Sequence, residues 1–364
     1  MFGATGFTGR ITAAAMVAAG LQPVLAGRHR GPLQQLADDL GLPDGCVCVA
    51  DAADVRSVRA LLESERDVLV STVGPFARLG QPALDAAIDA GSAYLDSTGE
   101  PSFVRHVFEQ AGPRAERSGA RLLTAFGFDY VPGNLAGAVA VTRARAHGTP
   151  ATRVAVGYVV PGGFGVSSGT KASAASVLLE PGFAFDHGQL GRVRRSWTSF
   201  TVSGRRREGF AVGGSEHVAL PRLEPSLTEV GVFLGIAGRW TRAAAAGAST
   251  MTVLTRPAAV RGLMSRVLDR SLGAATGEGP DVQTRSRSRT IAVAEAFDAS
   301  GVLVQHVQVE GPSPYDLTGD LLAMGARMMH ERRDLPAGAL GPADGLGLTE
   351  LVQGCARIGL REVP

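Results

Sequence analysis

Short apolar stretches alternate with segments of helical periodicity over the first third of the chain. In the segment 32–40, Leu33, Leu36 and Leu40 recur on one helical face, whereas 67–72 is a mostly apolar run of strand length. This alternation predicts an α/β fold with a doubly wound parallel sheet of the Rossmann type, because such strands need right-handed helical crossovers. The predicted strands are 23–26, 46–50, 67–72, 93–96 and 121–125, and the predicted helices are 10–19, 32–40, 55–62, 81–90 and 103–118.

After about residue 150 the strands become longer and alternate between apolar and polar positions, which is typical of an antiparallel sheet. We therefore expect a Rossmann domain over 1–145, an α+β substrate domain on a mostly antiparallel sheet over 146–315, and C-terminal helices over 316–364 that pack back on the first domain. Predicted strands here are 154–160, 193–202, 217–220, 227–234 and the hairpin 291–296 with 301–309, and predicted helices are 170–179, 256–268, 318–330 and 347–358.

The composition adds few constraints. Hydrophobic residues make up 45% and charged residues 19%, and the formal net charge of +2 is too small to indicate a nucleic-acid partner. No apolar window is long enough to span a bilayer and no secretory signal is visible, so we expect a cytoplasmic enzyme. Cys46, Cys48 and Cys355 lack paired CxxC spacing, which argues against a disulfide framework or a metal site.

A glycine-rich turn at the start of the chain is the first candidate functional feature. Gly3, Gly6 and Gly9 form a GxxGxxG pattern that opens a helix. Glycine lets the backbone approach a pyrophosphate closely, and the helix N-terminus offers free N–H groups to it. The sequence therefore predicts a dinucleotide site, although an ordinary glycine turn has the same residues. The other residues of this turn that we predict to bind the cofactor are Thr5, Phe7 and Thr8.

Arg28, just after the predicted strand 23–26, indicates which dinucleotide binds. NAD enzymes usually carry Asp or Glu there for the ribose 2′-hydroxyl, whereas a cation suits the 2′-phosphate of NADPH. Arg28, with Arg30 nearby, favours NADPH, and a solvated basic loop is the alternative.

Two further loops follow predicted strands and face the same edge of the sheet. Asp51 and Ala52 border the adenine in this interpretation, or serve as a turn or helix cap. Val73, Gly74 and Pro75 make a sharp turn that would bring backbone groups to the nicotinamide.

The first strand is unusually short, because only Met1 and Phe2 precede Gly3. A central strand of two residues would leave ladder partners unpaired, so we expect the native protein to begin several residues upstream.

Candidates for proton transfer or substrate polarisation come from two polar loops, since no Ser-His-Asp spacing, metal cluster or nucleophile elbow is present. Asp129 and Tyr130 follow the predicted strand 121–125. Tyr130 either donates a proton to a developing enolate or packs beneath Pro132. Lys171, the only lysine, lies with Ser168 and Thr170 at the start of a predicted helix. It polarises a carbonyl, or binds a carboxylate or a phosphopantetheine phosphate, or is simply solvated at the surface. We expect Tyr130→Phe and Lys171→Ala to lower turnover and spare NADPH binding.

Several motifs together resemble a known family: residues 3–10, 26–28, 72–76, 94–100 and 127–135. They are similar to the saccharopine dehydrogenase-like oxidoreductases, especially bacterial trans-acting enoyl reductases. The resemblance implies a Rossmann domain, a second α+β domain, NADPH as hydride donor, and reduction of an enoyl thioester or a related C=C, C=N or C=O bond in lipid or polyketide assembly.

The leading hypothesis is an NADPH-dependent reductase of an unsaturated acyl or polyketide-type intermediate, with an acyl-carrier protein as a possible carrier and a homodimer as a possible assembly. One alternative is a saccharopine-type reductase of imines or amino acids. The other is an NADP-binding protein without redox turnover. The fold alone does not choose among them, because one fold hosts many chemistries.

Overall fold

The computed structural model describes residues 1–160, 182–193, 197–236 and 279–364. The predicted helices 170–179 and 256–268, and the candidates Ser168, Thr170 and Lys171, lie outside the described residues. Two β-sheets, both flanked by helices, make up the described part of the chain. The predicted fold class is confirmed: one sheet is parallel and the other is mixed and mostly antiparallel.

The first sheet is parallel, with the strand order β2, β1, Phe2, β3, β4, β5, β14. Its last member, β14, lies near the C-terminus of the chain and was not predicted from the sequence. The strands are β1 (Leu25–Gly27), β2 (Val47–Val49), β3 (Val68–Ser71), β4 (Ala93–Asp96), β5 (Arg121–Leu123) and β14 (Gly338–Ala339).

Phe2 occupies the central position of this sheet, with a parallel bridge to Ala26 on one side and to Ser71 on the other. The N–H of Phe2 donates to the carbonyl of Val70 at 2.8 Å, and the N–H of Ala26 donates to the carbonyl of Met1 at 2.8 Å. The two residues before the glycine turn are therefore hydrogen-bonded on both sides, which fixes where the turn begins.

Helices connect the strands of the first sheet, largely as predicted. The predicted helix 103–118 is instead three pieces, because Pro113 lacks the N–H that an uninterrupted helix needs and the backbone widens into a π turn at Val107–Ala111. The helices are α1 (Phe7–Ala18), α2 (Arg30–Asp39), α3 (Val55–Arg59), α4 (Phe76–Leu79), α5 (Gln81–Ala90), α6 (Pro101–His106) and α7 (Gly112–Ser118).

The second sheet has the strand order β15, β13, β12, β6, β11, β10, β9, and β7 and β8 form a hairpin beside β11. All neighbours are antiparallel except β6 and β11. The strands are β6 (Arg153–Val160), β7 (Phe183–Asp186), β8 (Gln189–Arg192), β9 (Trp197–Val202), β10 (Arg205–Ala211), β11 (Glu229–Ile236), β12 (Thr290–Phe297), β13 (Leu303–Gly311) and β15 (Arg361–Val363).

A long helix that the sequence did not predict, α8 (Val131–Ala146), packs against β6, β12 and β13. Most of its residues are buried, so it lacks the polar face that makes a helix recognisable by periodicity. Because α8 begins just after the loop that follows β5, it carries the chain directly from the first sheet to the second.

One predicted strand is wrong. Residues 217–220 belong to the helix α9 (Glu216–Leu223), since an alternation of only four residues does not distinguish a strand from a helical turn.

Near the C-terminus, α11 (Pro314–Glu331) packs along α1, and α13 (Leu348–Arg357) packs against α8 and α12 (Pro342–Leu346). The remaining described helix is α10 (Val282–Arg287).

Candidate functional site

The glycine turn leads from Phe2 into α1 and is tightly packed against the residues that follow β3. Gly3 has a φ of +84°, and a Cβ there would lie 2.9 Å from the side chains of Thr72 and Val73. A Cβ at Gly9 would collide with the carbonyl oxygen of Gly3. Gly6 donates its N–H to that same oxygen at 3.0 Å. Two of the three glycines are therefore required by backbone geometry, and the turn presents main chain rather than side chains.

The N-terminus of α1 has no side-chain cap. Gly6 precedes it, and its first turn has no acidic residue. The first N–H groups of a helix have no partner within the helix and carry its partial positive charge, so this end suits an anion. Phe7 anchors it, because its ring meets Tyr315 of α11 edge to face with centroids 5.0 Å apart.

Arg28 lies beside this turn. The strand β1 ends at Gly27, where a Cβ would be 3.8 Å from Oγ1 of Thr5. Arg28 and Arg30 are both exposed, and neither forms an ion pair with a described residue. An exposed guanidinium next to a glycine turn that opens a helix suits the 2′-phosphate of NADPH.

Asp51 is in a turn rather than at a helix cap. Its carboxylate accepts the N–H of Ala53 at 2.9 Å, and Asp54 is the residue that caps α3, through the N–H of Arg56 at 3.0 Å. Asp51 is exposed and Ala52 is half-buried after β2. Their contact with an adenine stays a prediction.

The loop after β3 is held by a carboxylate that the sequence reasoning missed. Glu100 is fully buried and accepts the N–H groups of Phe76 at 2.8 Å and Ala77 at 2.9 Å, at the start of α4. Gly74 and Pro75, joined by a cis peptide bond, lie directly before that point. Glu100 therefore fixes the segment that we expect beside the nicotinamide, and a Glu before a proline gave no signal of this role.

Asp96, at the end of β4, holds the next two loops together. It is fully buried and accepts the N–H of Thr98 at 2.8 Å, the N–H of Ala125 at 2.9 Å and the hydroxyl of Thr124 at 2.7 Å. Burial raises the pKa of Asp96 to about 6, although these hydrogen bonds lower it. The carboxyl edge of the sheet is thus cross-linked by side chains.

Asp129 and Tyr130 are neighbours with opposite environments. The Asp129 side chain is exposed. One of its carboxylate oxygens lies close to Gly99, 3.0 Å from the position that a Cβ on Gly99 would take. The Tyr130 ring is buried, and its hydroxyl lies 3.1 Å from the carbonyl of Gly99 and 3.3 Å from that of Gly213. Although part of this residue reaches the surface, protein surrounds its carboxyl group on the other sides, and this desolvation raises the pKa of Asp129 to about 6. Asp129 is therefore the accessible acid of the two, and Tyr130 ties the first sheet's loop to the segment before α9.

A second carboxyl group, which the sequence reasoning also missed, lies behind these residues. Glu216 at the start of α9 is fully buried, and the hydroxyl of Tyr158 in β6 donates to its Oε1 at 2.5 Å. The N–H of Gly133 donates to the Tyr158 hydroxyl at 3.0 Å. Burial raises the pKa of Glu216 to about 8, and the charge of Asp129 also raises it. We call Gly99, Asp129, Tyr130, Tyr158 and Glu216 the junction site, because it joins loops of both sheets.

Neighbouring polar groups brace the junction site. The Asn134 amide donates to the carbonyl of Tyr130 and to the hydroxyl of Ser215, both at 2.9 Å. His217 is buried with Nδ1 3.1 Å from the N–H of Gly214, and burial lowers its pKa to about 4. His217 is therefore neutral near pH 7 and contributes no charge to the site.

The structure brings most of the sequence-derived candidates to one edge of the first sheet. The glycine turn, Val73 to Pro75 and the Asp129–Tyr130 pair all follow parallel strands there, where α/β proteins bind ligands. The uncapped start of α1 and the exposed Arg28 suit the phosphates of a dinucleotide. Within the ranges that the structure describes, no group of three metal-ligating side chains occurs, and no helix has the length and hydropathy to cross a bilayer.

Comparison with known proteins agrees with these features. Residues 1–123 match the model of the saccharopine dehydrogenase NADP binding domain, which confirms the expected resemblance and NADPH as the cofactor. Over its whole length the chain is similar to a saccharopine dehydrogenase (L-Glu forming) from Saccharomyces cerevisiae, with a TM-score of 0.59, 12% identity and coverage of 99% of this chain and 98% of that chain. At this identity the likeness concerns the fold alone.

Curated relatives match part of the chain. It is 35% identical over 139 residues to a trans-acting enoyl reductase of Mycobacterium tuberculosis, which covers 37% of this chain and 33% of that protein. A Mycobacterium leprae trans-acting enoyl reductase is 36% identical with the same coverage. Another M. tuberculosis protein, whose name proposes the same activity, is 36% identical over 186 residues, 49% of this chain and 43% of its own length. The matches thus span less than half the length of these relatives.

Proposed function

Because residues 1–123 match the NADP binding domain of saccharopine dehydrogenases, we propose that this chain is an NADPH-dependent oxidoreductase that reduces an enoyl thioester. The observation that carries the proposal is the uncapped N-terminus of α1 beside Arg28, which is exposed and forms no ion pair with a described residue. One feature suits a pyrophosphate and the other a 2′-phosphate, and both lie on the edge of the sheet that also carries Asp129.

Asp129 is the group in this site best suited to supply a proton. When bound, NADPH supplies the hydride, so the acyl chain gains a hydride at its β-carbon and needs a proton at its α-carbon. Asp129 is exposed and its pKa of about 6 keeps part of it protonated near neutral pH. Its O–H bond breaks, the new C–H bond forms, and a carboxylate remains that solvent reprotonates.

Tyr130 has a positioning role in this proposal. Its hydroxyl lies between the carbonyls of Gly99 and Gly213, and its ring is buried, so its main effect is to hold Asp129 and the start of α9 in register. Lys171 lies outside the described residues, and its role in carbonyl polarisation or phosphate binding stays a prediction.

The names of the curated relatives, which are trans-acting enoyl reductases, support the choice of an enoyl substrate. A protein that acts in trans on an acyl chain would receive it as a thioester, so we propose an acyl-carrier protein as its carrier.

The test is oxidation of NADPH by the purified protein in the presence of crotonyl N-acetylcysteamine thioester, followed by nicotinamide absorbance. We expect consumption of NADPH and formation of the saturated thioester. Asp129→Asn should lower the rate about 100-fold, because general acid catalysis contributes roughly that much or more. Asp89→Asn, an exposed aspartate in α5 far from this edge, is the matched control and should retain the rate.

Other outcomes would redirect the proposal. Reduction of an imine formed from a 2-oxo acid and an amine, but not of the enoyl thioester, would favour the saccharopine-type alternative. Tight NADPH binding with no oxidation by either substrate would favour an NADP-binding protein without turnover.

A further inference from the structure

The loop that carries Asp129 begins with a strained backbone. Ala125, two residues after β5, has a φ of +57°, in the left-handed region that side chains other than glycine rarely adopt. Its N–H donates to the carboxylate of Asp96 at 2.9 Å, and the N–H of Phe126 donates to the Asp96 carbonyl at 2.8 Å. A strained backbone persists only where its surroundings hold it. Asp96 holds the first half of the loop, and the half next to Asp129 has a separate anchor.

Thr318 of α11 is that second anchor. Its Oγ1 accepts the N–H of Phe128, the residue before Asp129, at 3.1 Å. The same hydroxyl donates its own proton to the carbonyl of Pro314 at 2.7 Å, one helical turn back. Because a hydroxyl has one proton and two lone pairs, Oγ1 is left as an acceptor whose orientation is fixed by the helix. Thr318 is buried, which limits competition from water for this hydrogen bond.

The packing around Thr318 brings the loop directly against the helix. A Cβ at Gly127 would lie 3.1 Å from Cγ2 and 3.3 Å from Oγ1 of Thr318. These distances are shorter than ordinary van der Waals separations, so a side chain at position 127 would push the loop away from α11. Glycine at this position therefore lets the neighbouring Phe128 amide reach Thr318.

The same side of α11 also holds the cofactor turn. The ring of Tyr315 meets the ring of Phe7 edge to face, with centroids 5.0 Å apart. Gly319 lies against α1, since a Cβ there would be 2.8 Å from Cγ2 of Ile11. Thr318 and Gly319 follow Tyr315 by three and four residues, which places all three on one side of the helix. That side of α11 therefore sets the position of the loop after β5 relative to the start of α1.

We propose that Thr318 is a positioning residue of the reaction, which holds Asp129 at the distance from the bound cofactor and substrate that proton transfer needs. This inference rests on the proposed function, in which Asp129 is the acid. Thr318 acts through the Phe128 amide, because its own hydroxyl proton is committed to the Pro314 carbonyl. Misplacement of a reacting group by about 1 Å can cost about 100-fold in rate, so loss of this anchor should be visible in turnover.

Thr318→Val tests the anchor, because valine keeps the shape of threonine and lacks the acceptor oxygen. We expect kcat for NADPH oxidation, with the enoyl thioester or the imine, whichever the chain reduces, to fall about 10- to 100-fold. The Kd of NADPH should change by less than about twofold, since the contacts of Tyr315 and Gly319 with α1 remain. Thr318→Ser retains the hydroxyl and should keep most of the rate.

Thr290→Val in β12 is the matched control. It removes the hydroxyl of another buried threonine, which donates to the carbonyl of Pro312 at 2.8 Å, and it should retain the rate. An unchanged kcat in Thr318→Val, or an equal loss in Thr290→Val, would overturn the inference.

A double variant separates positioning from a purely structural role. If Thr318 acts through Asp129, adding Thr318→Val to Asp129→Asn should lower the rate little further, because both changes remove the same effect. Losses that multiply in the double variant would show that Thr318 supports only the fold, and would overturn the inference.

Deuterium exchange at the Phe128 amide, followed by mass spectrometry of peptides from the full chain, tests the contact without substrate. We expect faster exchange in Thr318→Val and unaltered exchange in Thr318→Ser and Thr290→Val, because only the first loses the acceptor. Unaltered exchange in Thr318→Val would overturn the inference whatever substrate the protein reduces. Absence of enoyl reduction by the unaltered chain would instead count against the proposed function, so the two failures are distinguishable.

Discussion

Gly9 lies so close to Gly3 that a single added carbon at Gly9 would collide with the Gly3 carbonyl oxygen. This contact holds the start of α1 against the end of the first strand, and no side chain caps the first amides of α1. The close approach therefore joins the fold of the turn to its capacity to bind a phosphate.

Gly9→Ala should weaken NADPH binding by about tenfold or more and lower the free energy of unfolding by a few kcal/mol, because the backbone must separate to admit the methyl group. Fluorescence titration and urea unfolding measure the two effects. Gly31→Ala in α2 is the control: a Cβ there meets nothing within 4 Å, and an alanine in a helix should stabilise by about 0.5–1 kcal/mol. Unchanged NADPH affinity in Gly9→Ala would contradict the close-approach account.

His217 should make the protein sensitive to acid. Its pKa in the folded chain is about 4 and its ordinary value is 6.5, so the unfolded chain binds a proton first as the pH falls. The contribution of a neutral His217 to stability is present above pH 6.5 and is lost progressively between pH 6.5 and about 4, by at most about 1.4 kcal/mol per pH unit.

Urea unfolding over this pH range measures the effect. His217→Gln should flatten the dependence of the unfolding free energy on pH, whereas His147→Gln, an exposed histidine at the end of α8, should leave it as steep as in the unaltered chain. An equal slope in all three proteins would show that His217 is not the acid-sensitive group.

The Rossmann half was predictable from sequence because its signals are local. The turn at Gly3 to Gly9, the apolar strands and the helices between them each follow from a period or a glycine requirement within a few residues. The helix α8 was missed for the opposite reason, since burial on several sides removes the polar face that periodicity needs.

The junction site was only half predictable. Asp129 and Tyr130 follow a strand at the ligand-binding edge, so their position indicated a function. Glu216 lies far from them in sequence, directly before a segment that we predicted as a strand, and its pocket is formed by Gly133, Gly214 and Tyr158 from other elements. No local pattern encodes that meeting, because it depends on how the two sheets pack.

The central claim is that the chain binds NADPH through the turn at α1 and Arg28. Its most direct test is titration of the protein with NADPH and, separately, NADH, followed by nucleotide fluorescence. We predict clear preference for NADPH, and a loss of roughly tenfold or more of that affinity in Arg28→Ala with NADH binding unchanged. Arg117→Ala, an exposed arginine in α7 at the opposite edge of the sheet, should behave as the unaltered chain. Equal affinity for the two nucleotides, or an Arg28→Ala variant that still prefers NADPH, would contradict the account.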